Sequence, residues 1–245
     1  MKNQKSNNIK RKFIIAAAVL ICTAAVIAGI FCINRKNAFS IAPLTQSRIN
    51  ELDLSRASNI MIVAHPDDET IWGGSHLLDG GYLVVCITNG NNAERASEFR
   101  EAVTSSGNIP LILDYPDKVN FRRANWTSIQ DDIEADISLV MSAKHWDTAV
   151  THNPKGEYGH IHHKFTNRLT VQAFSETKCA DKLYFFGDYY KAADMSSAAS
   201  ELTPIPQDKL DKKTKQCSIY RSQKRVMRNL SHMFPYENWK EYTTK

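Results

Sequence analysis

The chain has 245 residues and a formal net charge of +5. Once an apolar N-terminal stretch is set aside, about 210 residues remain, enough for one α/β domain with a full core and too few to call for a second. Lys2, Lys5, Lys10, Arg11 and Lys12 all precede the apolar stretch, and removing these five from the 31 basic residues leaves 26, matched by 26 acidic ones. A folded part so close to neutral gives no case for a nucleic-acid partner.

Phe13 to Ile33 is uncharged and apolar. Its length of about twenty residues suffices to cross a bilayer as a helix and exceeds a typical cleaved signal core. Five positive charges before it, against Arg35 and Lys36 after it, place the N-terminus in the cytoplasm. The expectation is a basic tail over residues 1–12, an anchor over 13–33, a connector over 34–56 and a folded domain over 57–245. This describes a single-pass cell-membrane protein with an extracytoplasmic domain. A long cleavable signal, with Ala38 and Ser40 at tolerable cleavage positions, is the alternative. Cys22 and Cys32 lie in the apolar run and Cys86 in a strand-like run; Cys179 and Cys217 could pair outside the cytoplasm, although sequence does not fix connectivity.

In chain order, the connector includes a short amphipathic helix with Ile49, Leu52 and Leu54 apolar. Asn59 to Val63 reads as a buried strand, and Thr70 as the cap of a helix through Leu78 that Gly80-Gly81 ends. Tyr82 to Ile87 is a second strand, Ala93 to Ser105 a charged helix, and Leu111 to Leu113 a third strand ended by Asp114-Tyr115-Pro116-Asp117. Ile129, Ile133, Ile137 and Val140 recur at helical spacing behind Asp131 and Asp132, which suit a helix start. A strand over 147–151, a helix over 160–176 and a strand over 183–186 follow. Residues 192–207 read as a loop, and 209–230 as one basic helix whose charges form a solvated face. Strands alternating with helices imply a mainly parallel sheet covered on both faces.

The first strand runs into His65-Pro66-Asp67-Asp68-Glu69, at the end of a strand where open α/β sheets place their sites. His65 and Asp68 are residue types that a catalytic zinc ion takes, and Asp67 between them is a carboxylate free to handle a proton. The alternative for Asp67 and Glu69 is helix capping. The fourth strand runs into His152 and then Gly159-His160-Ile161-His162-His163. On a helix, His160 and His163 would share one face while His162 points away, toward the surface or the periphery of the site.

Ala64-His65-Pro66-Asp67-Asp68-Glu69 followed by Gly159-His160-x-x-His163 resembles the LmbE/PIG-L family of zinc-dependent N-deacetylases. The likeness extends over about residues 57 to 230, with Arg100-Glu101 on a helix and a late Tyr220-Arg221-Ser222-Gln223 similar to a family Y-x-S-Q. The resemblance implies a Rossmann-like α/β sandwich, with His65, Asp68 and His163 as metal ligands, Asp67 as general base and His160 assisting charge and proton transfer. Zinc is the expected ion, with another divalent metal as the alternative. One position departs from the family pattern: where the family commonly has H-P-D-H, this chain has His162 before the last ligand, so the acidic residue there is missing.

The implied reaction removes acetyl from an N-acetylhexosamine unit of a cell-surface glycan or glycolipid. The alternatives are an amidase acting on another N-acyl substrate and a non-catalytic glycan-binding module. For substrate contacts, His152 sits at the site's mouth but could serve the turn beside Asn153-Pro154. Tyr158 could lend its hydroxyl or only pack, and Arg100 could face the sugar.

Overall fold

The computed structural model describes Thr23 and residues 41–243. The chain divides into two units, Met1–Ile41 and Ala42–Lys245, and the second carries the fold below. The expected tail, the Phe13 to Ile33 anchor apart from Thr23, and the first part of the connector lie outside the described residues. Among the described residues no helix is long and apolar enough to cross a membrane.

Among the described residues the strands are β1 Asn59–Val63, β2 Tyr82–Thr88, β3 Ile109–Tyr115, β4 Lys118–Val119, β5 Arg122–Arg123, β6 Trp146–Thr151, β7 Ala180–Phe185 and β8 Lys240–Glu241. The main sheet has the order β3-β2-β1-β6-β7-β8. Its pairings are parallel except β7 with β8. The helices are α1 Gln46–Asn50, α2 Asp68–Leu77, α3 Ala93–Ser105, α4 Gln130–Met141, α5 Ile161–Thr177, α6 Met195–Ala198, α7 Gln207–Cys217 and α8 Lys224–Leu230.

Alternation along the strands divides the core into two layers. Met61, Val63, Val84, Cys86, Ile112 and Val150 pack with Ile71, Trp72, Phe99, Cys217 and Tyr220. Ile60, Ile62, Leu83 and Val85 alternate with them and are also buried; α5 packs on β1, β6 and β7 with α4 beside it. Burial on both faces explains why β1 and β2 read as unbroken apolar runs.

Several expectations are corrected. The end of the connector is part of the fold: Leu44 and Ile49 are buried, the Leu44 N–H donates to Asp136, and Arg48 donates to the Ile112 carbonyl. The first helix begins at Asp68 rather than behind Thr70, whose hydroxyl donates to Glu69. The basic helix over 209–230 is broken after Cys217, because the turn carries the Tyr220 ring into the core. Lys213 is not solvated; it is fully buried and paired with Glu237. Short elements that hydrophobic periodicity does not announce are α6 within the expected loop, the β4–β5 hairpin and the edge strand β8. Cys86, Cys179 and Cys217 are free thiols, so the possible pair does not form.

Candidate active site

Strand order reverses at β1 and β6: from β1 the chain builds outward through β2 and β3, then returns to lay β6 on β1's other side. The carboxyl ends of these two neighbours therefore open on one crevice. β1 leads into His65 to Glu69, and β6 into the loop carrying His152, Glu157, Tyr158 and His160, followed by α5 with His162 and His163.

His65 Nδ1, His163 Nε2 and the Asp68 carboxylate converge as a compact triangle of groups, each nitrogen facing a different oxygen of the carboxylate. The nitrogens are 3.3 Å apart, His65 Nδ1 lies 3.2 Å from Asp68 Oδ2, and His163 Nε2 lies 3.3 Å from Asp68 Oδ1. All three residues are buried. Bonds of 2.0–2.1 Å to a tetrahedral cation separate its ligand atoms by about 3.3 to 3.4 Å, a spacing that the two nitrogens match. The donor set of two imidazoles and a carboxylate fits a divalent cation.

Glu157, buried on the approach to α5, organises this triangle from behind. Its Oε2 accepts from His163 Nδ1 at 2.5 Å and from His152 Nδ1 at 3.0 Å, and its Oε1 accepts from the Asn153 N–H. His163 thus keeps its Nε2 lone pair for a cation. Burial alone would raise the Glu157 pKa, while the N–H groups that His152 and His163 point at it draw it down. His163 thus has a carboxylate partner in Glu157, although the position before it in the chain carries His162.

His152 lies beneath the site rather than at its mouth. It is fully buried, its ring stacks on His163 at 3.9 Å, and its Nε2 accepts from the Ala64 N–H at 3.0 Å. Burial opposes protonation, while Glu157 and Asp68 draw the ring's pKa up to about 9. The hydrogen bond from Ala64 decides for the neutral ring, because a protonated one would oppose two N–H donors at that distance.

Asp67 occupies the N-cap position of α2, but its side chain makes no capping bond. Its φ of 125° is a backbone conformation that a residue with a Cβ rarely adopts and costs on the order of 1–3 kcal/mol. The bend is held by Glu69, which accepts the Asp67 N–H at 3.1 Å, and by Arg95, which donates to the Pro66 carbonyl at 2.6 Å and lies 3.4 Å from the Asp67 carboxylate. Burial raises the Asp67 carboxyl, Arg95 opposes it and Asp68 adds to it, leaving a pKa of about 8.

His160 and His163 do meet, with ring centroids 4.4 Å apart, though not as two residues of one helix face. His160 precedes α5 as its N-cap, and its Nδ1 accepts the His162 N–H at 3.2 Å. A neutral ring with Nδ1 so committed carries its proton on Nε2, which makes His160 a donor rather than a ligand. Burial and the neighbouring His65 and His163 hold its pKa well below the usual histidine range. His162 does not point away: it is fully buried, with Nδ1 3.0 Å from His65 Nε2.

Tyr158 stands at the rim, 44% exposed, its ring edge-on to His163 and near Tyr189. Arg100 is exposed, and Arg95 takes the inward place on the same helix. The two are five residues apart, about 140° around the axis.

Reasoning from sequence missed Arg95, Glu157 and Asp117, the last lying 3.5 Å from His65 Nε2. Each follows the carboxyl end of a parallel strand, and that placement was the available signal.

Residues 60–174 match the PIG-L family, described as GlcNAc-PI de-N-acetylase. An uncharacterized protein of Acanthamoeba polyphaga mimivirus is 32% identical over 131 residues, a match that covers 46% of this chain and 56% of that protein. The chain thus spans little more than half the length of that relative.

Proposed function

Residues 60–174 form a domain of the LmbE/PIG-L family, and from that premise we propose that the chain is a zinc-dependent hydrolase that removes the N-acetyl group from an N-acetylhexosamine unit of a glycan or glycolipid. The observation that carries this reading is the triangle of His65, Asp68 and His163 beside an Asp67 that the backbone strains to present. His65, Asp68 and His163 would hold the ion and leave a position open on its fourth side. Bound there, zinc supplies Lewis-acid polarisation of the amide carbonyl and a water of lowered pKa.

Asp67 takes a proton from the attacking water. With a carboxyl pKa of about 8 before any cation is present, it lies close to the range in which a general base works near neutral pH, and positive charge beside it draws that value down. His160 offers Nε2–H to the oxygen that gains charge as the carbonyl is attacked, and the proton that Asp67 has taken from water is the one available to the departing amine. Tyr158 adds a hydroxyl and an aromatic face at the rim, where the sugar ring would lie.

The membrane anchor belongs to the same proposal and rests on the composition of Phe13 to Ile33 and the charges around it. It would hold the enzyme near envelope glycans or lipid-linked sugars. Protease treatment of intact cells should digest the domain from outside; protection until lysis would place it in the cytoplasm.

The activity is tested on the purified full chain by elemental analysis and by acetate release from a panel of N-acetylglucosamine glycans and glycolipids. One bound divalent ion and release that a chelator stops are expected. A metal-loaded protein inert across the panel would redirect the search to other N-acyl substrates.

A further inference from the structure

His162 stands where the family resemblance leads one to expect an aspartate, and its surroundings give it a definite protonation. Its Nε2 lies 2.8 Å from the Ala124 carbonyl oxygen, which can only accept, so Nε2 carries the proton and Nδ1 the lone pair. That lone pair meets His65 Nε2 at 3.0 Å, so His65 must donate from Nε2. The proton on Nε2 leaves His65 Nδ1 unprotonated, and Nδ1 is the atom that faces Asp68 and His163.

The His162 ring cannot easily turn out of this arrangement. It is fully buried and stacked on Trp126, with centroids 4.1 Å apart and planes 3° from parallel. Trp126 is itself tied by its indole N–H to the Pro116 carbonyl. Asp117 Oδ1, 3.5 Å from His65 Nε2, is a second acceptor for the same proton.

We propose that His162 is a positioning residue for the metal centre: its Nδ1 fixes the tautomer and direction of His65, so that His65 Nδ1 presents a lone pair to the cation. The inference rests on reading His65, Asp68 and His163 as the metal site. A different use of the cluster, a second cation among His65, His160 and His162, fails on the same protons. His160 Nδ1 is committed to the His162 N–H, so its Nε2 is protonated, and His65 Nε2 donates.

Two variants of the full chain separate acceptance from packing. His162→Phe keeps a ring against Trp126 but has no acceptor, and His162→Asn places a carbonyl oxygen close to the Nδ1 position. Zinc affinity, read by competition with a chromophoric chelator, should fall roughly 10- to 100-fold in His162→Phe and recover most of that loss in His162→Asn. Equal losses in both variants, or a His162→Phe affinity within about twofold of the parent, would overturn the proposal.

Should His162→Phe not fold, nitrogen-15 NMR of histidine in the zinc-loaded parent decides. Protons on Nε2 of both His65 and His162 support the arrangement, and a proton on Nδ1 of His65 refutes it. A parent chain that binds no divalent ion fails differently: it removes the metal site itself and the role of His162 with it.

Discussion

The Tyr220 hydroxyl donates a hydrogen bond to Oε1 of Glu69, a carboxylate 151 positions earlier in the chain. The other oxygen of Glu69 accepts the Asp67 N–H, so the turn after α7 reaches the strained bend through one buried carboxylate. Ser222 holds the same turn from its other side, donating through its N–H and hydroxyl to Glu98 on α3. Two residues of the Tyr220-Arg221-Ser222-Gln223 stretch thus have structural partners within the domain.

Tyr220→Phe keeps the ring and removes the donor. Glu69 and Tyr220 are both fully or nearly fully buried, so the loss should destabilise the fold by about 1–3 kcal/mol. Turnover should fall while metal content stays that of the parent, because His65, Asp68 and His163, the proposed ligands, are not touched. Urea unfolding and elemental analysis check both halves; an unchanged unfolding midpoint would show that the bond carries no weight.

Asp67 and His163 should separate by metal content. His163→Ala removes one corner of the ligand triangle and should lose most bound ion and nearly all activity. Asp67→Asn should keep the ion and slow acetate release by roughly 10²- to 10⁴-fold, the scale for losing a general base. Equal metal loss in both would make Asp67 a ligand instead.

The parallel sheet was legible because β1 and β2 are apolar runs ended by turn residues, and because His, Asp and Glu cluster where β1 and β6 stop. Periodicity failed at His160 because the helix begins one residue later, and a cap obeys hydrogen bonding rather than the helical repeat. It failed at Lys213, since a lysine in a basic run looks solvated unless Glu237, 24 positions on, is known to meet it. Arg95 and Arg100 lie on one helix, and only the packing of α3 says which of them faces inward.

That choice of arginine is open to test. Arg95 draws the Asp67 pKa down, so Arg95→Met should let it rise, and the acid limb of the kcat/KM profile should move to higher pH. Loss of the bond to the Pro66 carbonyl should also lower the maximum rate. Arg100→Ala should leave the profile in place. An unshifted acid limb in Arg95→Met would separate Arg95 from the group that titrates.

Acid stability has a distinct source in Glu237. Its carboxylate accepts from Lys213 Nζ at 2.6 Å, from the N–H and hydroxyl of Ser75 at 2.8 and 2.7 Å, and pairs with His76 Nδ1 at 2.7 Å. Lys213 and Glu237 side chains are both fully buried, and the bond from Lys213 Nζ to the Phe234 carbonyl ties the C-terminal segment to α7. Burial alone would raise the Glu237 pKa, yet Lys213 and His76 hold it at about 2, against an ordinary 4.5. A carboxyl depressed on folding contributes stability that is fully present above its unfolded pKa and is lost as pH falls through the folded one. The window for Glu237 therefore runs from about 4.5 down to about 2. Glu237→Gln has no such window: at pH 6 it should be less stable than the parent by about 3 kcal/mol, and the gap should close as Glu237 protonates in the parent. Other carboxylates, Glu157 among them, titrate in the same range but are common to both proteins and cancel in the difference. Urea midpoints of parent and variant measured from pH 6 down toward pH 2 give that difference directly. Two curves that stay parallel across the window would show that Glu237 is not the group that couples acid to unfolding.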